Sequence, residues 1–242
     1  MSLKETIAEG VAWLTLDSPE RLNAFTGSDY RDLRVVLQRA LAAPSVRVIV
    51  LTGSGRAFSA GADRSLVDGT ASPSELERAG AEFAAMLDIL GRCEKPIIAA
   101  VNGLAVGIGC TMLLYCDLVL MGESARLRLP FTALGMVPEA GSSALLPARA
   151  RWADTVWAML SGEWIDAQTA YRMGIAWQVV PESELVDSAG KAASTIAALD
   201  PAAVAGTKRL LIAGRADVAR GAMDREIAEM AALFGHRGGN CG

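Results

Sequence analysis

Two glycine-containing loops carry backbone amides that could do chemistry. Gly61-Ala62-Asp63 follows an apolar run, and Gly107-Ile108-Gly109 lies where a helix is expected to begin. Glycine gives the backbone access to conformations that bulkier residues resist, and a helix N-terminus carries free N–H groups. One N–H group from each loop could therefore converge on a single oxygen and stabilise negative charge there. Glycine loops at strand ends also serve packing, and the residues alone leave that alternative open.

Glu139 is the carboxylate that could act with these amides. It lies in the segment LGMVPEAGSS, between apolar and small residues, where a proline and a glycine indicate a rigid turn. Partial loss of hydration there would make its carboxyl group more basic than that of a surface glutamate, as a general base requires. The alternatives are a solvated acid, or a charge near the start of a helix that begins at Gly141-Ser142-Ser143.

Two other chemistries have weaker support. A phosphate-cradling loop needs GxxxxGK[ST] or GxGxxG, whereas Gly53-Ser54-Gly55 and Gly107-Ile108-Gly109 stop at GxG. Ser59, in AFSAG, is a near miss to the GxSxG nucleophile elbow. A serine nucleophile needs a base within hydrogen-bond reach, and the single histidine, His236, lies in the glycine-rich C-terminal segment. We interpret Ser59 as a small residue packed in a tight turn.

Composition and charge narrow the class of protein. The 242 residues are 52% hydrophobic and 21% charged, which is typical of a well-buried globular unit. The net charge of −4, without a block of like charges, argues against nucleic-acid and anionic-membrane partners. The first residues, MSLKETIAEG, contain no apolar leader, and so a cytoplasmic protein is expected.

The cysteines and one long apolar segment raise two further questions. Cys93, Cys110, Cys116 and Cys241 form no CxxC pair, and with one histidine they predict reduced thiols and no metal site. Residues 96–116 carry no charge over a length that could span a membrane. Proline, asparagine and glycines divide this segment, so we predict a strand, a glycine loop and a buried helix instead.

The candidate residues need elements to position them, and the periodicity predicts alternating strands and helices. Strands are predicted within 5–16 and at 46–52, 97–101, 117–121 and 175–180; helices at 29–43, 72–91, 108–116, 182–198, 201–213 and 217–234, and through most of 142–173. Capping signals start two of these helices, at Thr26 and Ser72. The alternation predicts an α/β fold with a parallel sheet, and places function in the loops after residues 52 and 101.

The predicted organisation has two regions. A core at residues 1–181 would contain the site, with residues 53–63 as a loop, and Pro181 would mark the start of a helical region at 182–242. That helical region would pack on the sheet or on a neighbouring copy. The glycine-rich end, GHRGGNCG, is predicted to be disordered.

Several segments, in order and at matching spacing, resemble the enoyl-CoA hydratase/isomerase family, also called the crotonase family. The likeness spans about residues 5–215. The matching segments are SPERLNAF (18–25), GRAFSAGAD (55–63), KPIIAAVNGLAVGIGCTMLLYCDLVL (95–120), PFTALGMVPEAGSS (130–143) and LSGEWIDAQTAYRMGIAWQVVP (160–181).

The resemblance implies a fold, a ligand and an assembly. The fold is a spiral of ββα units with a C-terminal helical trimerisation region, and the assembly a homotrimer or a dimer of trimers. The ligand is an acyl-CoA thioester, with no separate cofactor because coenzyme A enters as part of the substrate. The thioester oxygen would be held by the amides of Ala62 and Ile108. Residues implied to line the substrate path are Ala24, Ala60, Gly61, Asp63, Arg64, Ser65, Gly107, Gly109 and Phe131.

One departure from the family pattern bears on the reaction. Hydratases of the family carry two glutamates, and at the matching positions this chain has Thr111 and Phe131, neither of which is a general base at neutral pH. Glu139 matches the single catalytic glutamate of the Δ3,Δ2-enoyl-CoA isomerase subgroup, so a 1,3-proton shift from a 3-enoyl to a 2-enoyl thioester is predicted. Phe131, Leu134 and Trp164 would exclude water, although plain core packing is the favoured interpretation of each. Hydration of an unusual acyl-CoA and acyl-CoA binding without catalysis stay as alternatives.

Overall fold

A six-stranded sheet forms the centre of the molecule. The computed structural model describes residues 2–68 and 70–238. The strands lie in the order β1-β2-β3-β5-β7-β10, and all neighbours are parallel except the hairpin of β1 and β2. These strands are β1 (Ser2–Ala8), β2 (Val11–Asp17), β3 (Val48–Gly53), β5 (Ile97–Val101), β7 (Leu118–Gly122) and β10 (Gln178–Val180). The predicted α/β fold with a parallel sheet is confirmed.

A second, smaller sheet was not predicted. Its order is β4-β6-β8-β9, formed by β4 (Ala57–Ser59), β6 (Leu104–Val106), β8 (Arg126–Arg128) and β9 (Ile165–Asp166). The interpretation of residues 53–63 as a loop is therefore wrong over Ala57–Ser59, which pairs with β6. Strands of two or three residues contain too little alternation for periodicity to reveal them, and only pairing with distant segments stabilises them.

Ten helices surround the sheets within the described ranges. They are α1 (Gly27–Ala42), α2 (Arg64–Val67), α3 (Pro73–Arg92), α4 (Ile108–Thr111), α5 (Ser142–Arg149), α6 (Trp152–Ser161), α7 (Ala167–Met173), α8 (Leu185–Ala197), α9 (Pro201–Leu211) and α10 (Arg215–Gly238). Thr26 and Asp29 form a reciprocal capping box at α1, and Ser72 and Glu75 form another at α3. Both predicted helix starts are confirmed, because each cap satisfies backbone N–H groups that the first turn leaves free.

The central sheet is buried on both faces. Along β3, Val48 and Val50 join one apolar cluster, while Ile49 and Leu51 join another on the opposite face, as the two-residue period of a strand requires. Helices α1 and α3 cover the second face. The first face is covered by α8, through Leu185, Ala189, Ala193 and Ala197, whose spacing of four places them on one side of the helix.

The C-terminal helices reach back to the rest of the chain. Helix α8 packs on the sheet, and α10 packs on α5 and α3. Helix α10 extends to Gly238, beyond the predicted end at residue 234, so the glycine-rich segment is helical as far as it is described. Cys241 and the rest of that predicted disordered end lie outside the described residues. The domain boundary at Pro181 and the trimerisation role stay predictions.

The long apolar segment at 96–116 folds as β5, β6, α4 and a 3₁₀ turn at Met112–Tyr115. No helix in the described part of the chain is long and apolar enough to cross a membrane.

Candidate active site

The two glycine loops lie back to back. The backbone of Gly61 has a φ of +95°, and a Cβ atom added there would lie 2.7 Å from the carbonyl oxygen of Val106. A Cβ atom at Gly109 would collide with the backbone of Ser59. Only glycine allows so close an approach of two backbones. The sequence brings the loops together because β4 and β6, which lead into them, are paired.

Gly107 has a different reason to be glycine. Its φ of +53° and ψ of −123° belong to a region that side chains resist, yet a Cβ atom there would meet nothing within 4 Å. The space beside Gly107 is therefore open. This conformation turns the chain from β6 into α4, so that the amide of Ile108 stands at a helix N-terminus.

The amides of Ala62 and Ile108 are left out of the hydrogen bonds that hold the two loops. Phe25 forms backbone hydrogen bonds with the residues before and after Ala62. Its N–H group donates to Gly61 O at 2.8 Å, and its carbonyl oxygen accepts from Asp63 N at 2.7 Å. Within the described ranges neither the Ala62 nor the Ile108 N–H group meets a protein acceptor. Two free donors from adjoining loops, one at the positive end of a helix, can stabilise an oxyanion.

Asp63 holds the first loop in place. Its carboxylate accepts hydrogen bonds from the backbone N–H group of Ser65 at 3.1 Å and from the Ser65 hydroxyl at 2.8 Å, which lower the pKa of Asp63 below its usual value. Arg21 lies 3.4 Å from Asp63 and 3.3 Å from the buried carboxylate of Asp29. Asp63 therefore stays ionised and caps α2.

Glu139 is hydrogen-bonded to α4, the short helix that starts within the second glycine loop. The Thr111 hydroxyl donates to Glu139 Oε1 at 2.9 Å. Thr111 lies three residues after Ile108 on α4, and residues three apart on a helix are neighbours, with Cβ atoms about 5–6 Å apart. The hydrogen bond therefore joins Glu139 to the same one-turn helix that begins with Ile108.

The environment of Glu139 makes its carboxyl group a proton acceptor at neutral pH. Burial raises the pKa of Glu139 to about 7; the Thr111 hydrogen bond opposes this rise, and the negative charge of Glu226 adds to it. A carboxyl group with such a pKa is half ionised near neutrality and can both take and return a proton. The prediction of a partly desolvated glutamate is confirmed, and the alternative of a fully solvated acid is wrong.

The turn that carries Glu139 is rigid. Ala140 and Gly141 both have left-handed backbone, with φ of +60° and +67°. The Tyr115 hydroxyl donates to Ala140 O at 2.8 Å, and Ser142 donates to Glu139 O through its backbone N–H group at 3.1 Å and its hydroxyl at 2.6 Å. Two successive left-handed residues persist only when their surroundings fix them.

A cavity of about 660 Å³ opens beside Glu139, between α3 and α10. Its walls are mostly apolar, from Phe83 on α3 and from Met223, Ile227 and Met230 on α10. Its charged members are Glu139, Asp88, Arg220, Asp224 and Glu226. An apolar cavity with a few polar groups is the usual form of a small-molecule site.

The residues predicted to exclude water do not surround this cavity. Leu134 is 54% exposed and Trp164 is 40% exposed, and neither is among the residues that line this cavity. The Trp164 ring instead lies 5.3 Å from the Arg128 guanidinium. Phe131 is buried in the main core. The apolar wall comes from α3 and α10, whose approach to Glu139 no local sequence pattern indicates.

The remaining predicted substrate-path residues divide into two groups. Ala24 and Ala60 lie beside the first loop, where Ala60 N donates to Leu22 O at 2.8 Å. Ser65 lines a second cavity, of about 590 Å³, between the start of α1 and α3. Arg64 is exposed and forms an ion pair with Asp68 at 3.1 Å. Apart from Glu139 itself, none of the predicted site residues, Ala62 and Ile108 included, is among those that line the cavity beside Glu139.

The cysteines and the side chains that could bind a metal ion were also located in the structure. Cys93, Cys110 and Cys116 are buried free cysteines, and burial raises the pKa of Cys110 and of Cys116 to about 12. Within the described part of the chain, no group of three or more His, Cys, Asp or Glu side chains could hold a metal ion.

Comparison with known proteins assigns the chain to a family. The sequence model of the enoyl-CoA hydratase/isomerase family matches residues 6–236. The chain belongs to this family. Membership supports an enoyl-CoA hydratase/isomerase reaction, while the individual reaction differs among relatives.

The curated proteins similar to this chain include both hydratases and an isomerase. A probable enoyl-CoA hydratase of Rhodobacter capsulatus is 37% identical over 214 residues, which cover 88% of this chain and 82% of the relative. The 1,2-epoxyphenylacetyl-CoA isomerase of Escherichia coli K12 is 36% identical over 194 residues, 79% of this chain and 74% of the relative. Sequence likeness thus supports a hydratase/isomerase reaction without choosing between them.

Solved structures of the family share this fold. The crystal structure of an enoyl-CoA hydratase/isomerase from Pseudoalteromonas atlantica T6c superposes with a TM-score of 0.88, at 35% identity, over 97% of this chain and 92% of that one. The crotonase-type α/β architecture predicted from the resemblance is confirmed.

Sequence reasoning missed Glu226, which lies 7% exposed on α10 and contacts the Glu139 turn. A glutamate in a helical, charge-rich segment has the sequence signal of a solvated face. Its role follows only from the packing of α10.

Proposed function

We propose that the protein is an enoyl-CoA isomerase that shifts a 3-enoyl thioester to the conjugated 2-enoyl thioester. The observation that carries the proposal is Glu139, a partly buried carboxyl group with a pKa of about 7, hydrogen-bonded to the one-turn helix whose first amide has no protein acceptor among the described residues. A 1,3-proton shift needs one group that accepts and then returns a proton, together with stabilisation of an enolate.

The reaction would run in two steps. The Glu139 carboxylate removes a proton from C2, and the electron pair of that C–H bond moves toward the thioester carbonyl, giving a dienolate. The amides of Ala62 and Ile108 donate hydrogen bonds to its negatively charged oxygen. The protonated Glu139 then gives the proton to C4, the carbonyl re-forms, and the double bond lies between C2 and C3.

Hydration is the second candidate, and the names of several relatives favour it. Adding water across a double bond calls for activation of water as well as protonation of carbon. The family resemblance implies that Thr111 and Phe131 occupy the positions of the two hydratase glutamates, and neither supplies a carboxylate. Glu226 lines the same cavity, but both of its oxygens accept hydrogen bonds from backbone amides. These contacts favour isomerisation.

We also propose the substrate class and the assembly. The substrate is an acyl-CoA thioester, no separate cofactor or metal takes part, and the chain assembles as a homotrimer or a dimer of trimers. The apolar residues exposed on α6, Trp152, Trp157 and Leu160, are surface that an assembly of this kind would cover.

The test supplies the purified protein with cis- and trans-3-enoyl-CoA and follows absorbance of the conjugated product. Wild type is expected to turn over, and Glu139→Gln to lose about 10²–10⁴-fold in kcat, because the amide cannot carry the proton. The same protein is incubated with 2-enoyl-CoA to look for a 3-hydroxy product. Equal rates for wild type and Glu139→Gln would remove Glu139 from the reaction. Tight binding without turnover would favour the non-catalytic alternative.

A further inference from the structure

We infer that Glu226 on α10 is a positioning residue for the reaction: it fixes the turn that carries Glu139 and places a second negative charge beside that carboxyl group. This inference rests on the proposed function, because it assigns a partner to the proposed proton shuttle. The observations that carry it are two hydrogen bonds, the backbone of the turn and the packing of α10.

Glu226 caps a helix that has no cap of its own. The N-cap residue of α5 is Gly141, which has no side chain to accept from the first amides of the helix. Glu226 Oε2 accepts from Gly141 N at 2.8 Å, and Glu226 Oε1 accepts from Ser143 N at 2.9 Å. One carboxylate thus satisfies two amides of a segment more than eighty residues away in sequence. Such charge-assisted hydrogen bonds are stronger than neutral ones.

The turn depends on this contact. Ala140 and Gly141 both have left-handed backbone, which an alanine adopts only when its surroundings impose it. A Cβ atom at Gly141 would lie 2.8 Å from Ala219 O, so α10 packs directly on the turn. Glu139 immediately precedes this pair of residues. A shift of Gly141 away from α10 would therefore move the Glu139 carboxyl group relative to the Ile108 amide.

Glu226 is also the nearby charge that acts on Glu139. It is buried, and its negative charge raises the pKa of Glu139. The other titratable or charged groups around the two glutamates are Tyr30 on α1, Asp88 on α3, Cys110 on α4, Tyr115 in the following 3₁₀ turn, and Arg215, Arg220 and Asp224 on α10.

None of these other groups, Arg215 and Asp224 included, is among the causes of the Glu139 pKa shift, which are burial, the Thr111 hydrogen bond and the charge of Glu226. Burial raises the pKa of Tyr30, Cys110 and Tyr115, so these three remain uncharged at neutral pH. Asp88 is paired with Arg220, and that pair is exposed to solvent. Removing the charge of Glu226 would therefore let Glu139 ionise at lower pH and make it a weaker base.

The experiment compares Glu226→Gln with Glu229→Gln, the same substitution at an exposed position of the same helix. For Glu226→Gln we expect kcat/KM to fall about 10–100-fold, mainly through kcat, because misplacement of the proton shuttle disturbs the reacting geometry. The acidic limb of its pH profile should move to lower pH. Glu229→Gln should keep both the rate and the limb of wild type.

Glu226→Asp separates position from charge. The shorter side chain keeps the negative charge but cannot reach both amides, so its rate should fall while the acidic limb stays in place. A wild-type rate for Glu226→Asp would overturn the positioning role. A lower rate for Glu226→Gln with an unmoved limb would reduce Glu226 to a structural residue and overturn the inference.

A measurement without turnover keeps this inference separate from the proposed function. Carbon-13 NMR of glutamate-labelled protein follows the titration of Glu139, identified by the signal that Glu139→Gln lacks. Absence of isomerase activity in wild type would refute the proposed function only. An identical Glu139 titration in wild type and Glu226→Gln would refute the inference. If Glu226→Gln does not fold, Glu226→Asp is measured instead. A lower rate with a wild-type Glu139 titration would support the inference, and a wild-type rate would overturn it.

Discussion

Replacing Thr111 with valine should slow isomerisation at neutral pH and leave it nearly unchanged at alkaline pH. Thr111 is fully buried, and its hydroxyl donates to Glu139 Oε1 at 2.9 Å. Valine has nearly the same shape without the hydroxyl, so the change removes one hydrogen bond with little change in volume. That hydrogen bond stabilises the ionised carboxylate and lowers the pKa of Glu139. Its loss should therefore raise that pKa.

The size of the effect follows from the contact. A hydrogen bond to a charged group contributes about 1.5–3 kcal/mol, and about 1.4 kcal/mol changes an ionisation equilibrium tenfold. Glu139 has a pKa of about 7 in the wild type, so about half of the protein carries the reactive carboxylate at pH 7. Taking the lower figure, the ionisation equilibrium changes about tenfold, and the ionised fraction at pH 7 falls from about one half to less than one tenth in Thr111→Val, roughly sixfold. Near pH 9 the carboxylate is largely restored.

The assay measures kcat/KM for a 3-enoyl-CoA from pH 5 to pH 10 in three proteins. Wild type should show an acidic limb centred near pH 7, in line with the pKa of Glu139. Thr111→Val should show that limb at higher pH with a similar plateau. Thr111→Ser keeps a hydroxyl at the same position and serves as the matched control, with a profile close to wild type.

Two results would refute this reasoning. Superimposable profiles for wild type and Thr111→Val would mean that the hydrogen bond does not control ionisation of the catalytic group. A fall by the same factor at every pH would mean that Thr111 acts by packing, with no part in the proton equilibrium. Circular dichroism and thermal melts of all three proteins establish that the comparison concerns folded enzyme.

Two further predictions follow from the same site. Folding raises the pKa of Glu139 from 4.5 to about 7, which destabilises the native state as pH rises through that range. Glu139→Gln should therefore gain about 3 kcal/mol of unfolding free energy at pH 8 and almost none near pH 4, measured by urea denaturation; equal gains at both pH values would contradict this. Gly109→Ala should fail to fold because its Cβ atom collides with Ser59, whereas Gly107→Ala meets open space and should fold with a strained loop and lower activity, measured by thermal melts and the isomerase assay.

The parts of the fold that follow from local chemistry were predictable. The capping boxes at Thr26 and Ser72 join residues three apart, so the sequence contains the whole interaction. The central strands are runs of apolar residues buried on both faces, and Val48–Gly53 needs no distant information to be recognised as one. The glycines around Ala62 and Ile108 also indicated loops, because the preference of glycine for turns is a local property of the chain.

The parts that depend on distant contacts were not predictable. Strand β4 is three residues long, and the reason that it is a strand is its pairing with β6, far along the chain. The apolar wall beside Glu139 comes from α3 and α10, while Leu134 and Trp164, the apolar residues proposed from the sequence, lie partly exposed elsewhere. The cap on Gly141 comes from Glu226, and no pattern in residues 217–234 distinguishes that glutamate from its solvated neighbours.

The presence of threonine at position 111, where the resemblance implies a glutamate in hydratases, has two chemical consequences, and both favour isomerisation. The resemblance implies a glutamate at this position in hydratases, so threonine removes one of the two acids that water addition requires. The same hydroxyl donates to Glu139 and opposes the effect of burial on its pKa, which stays near 7. A proton shuttle needs this balance, because a stronger acid would not take the C2 proton and a weaker one would not return it at C4. The residue that disfavours hydration therefore also adjusts the remaining carboxyl group for isomerisation.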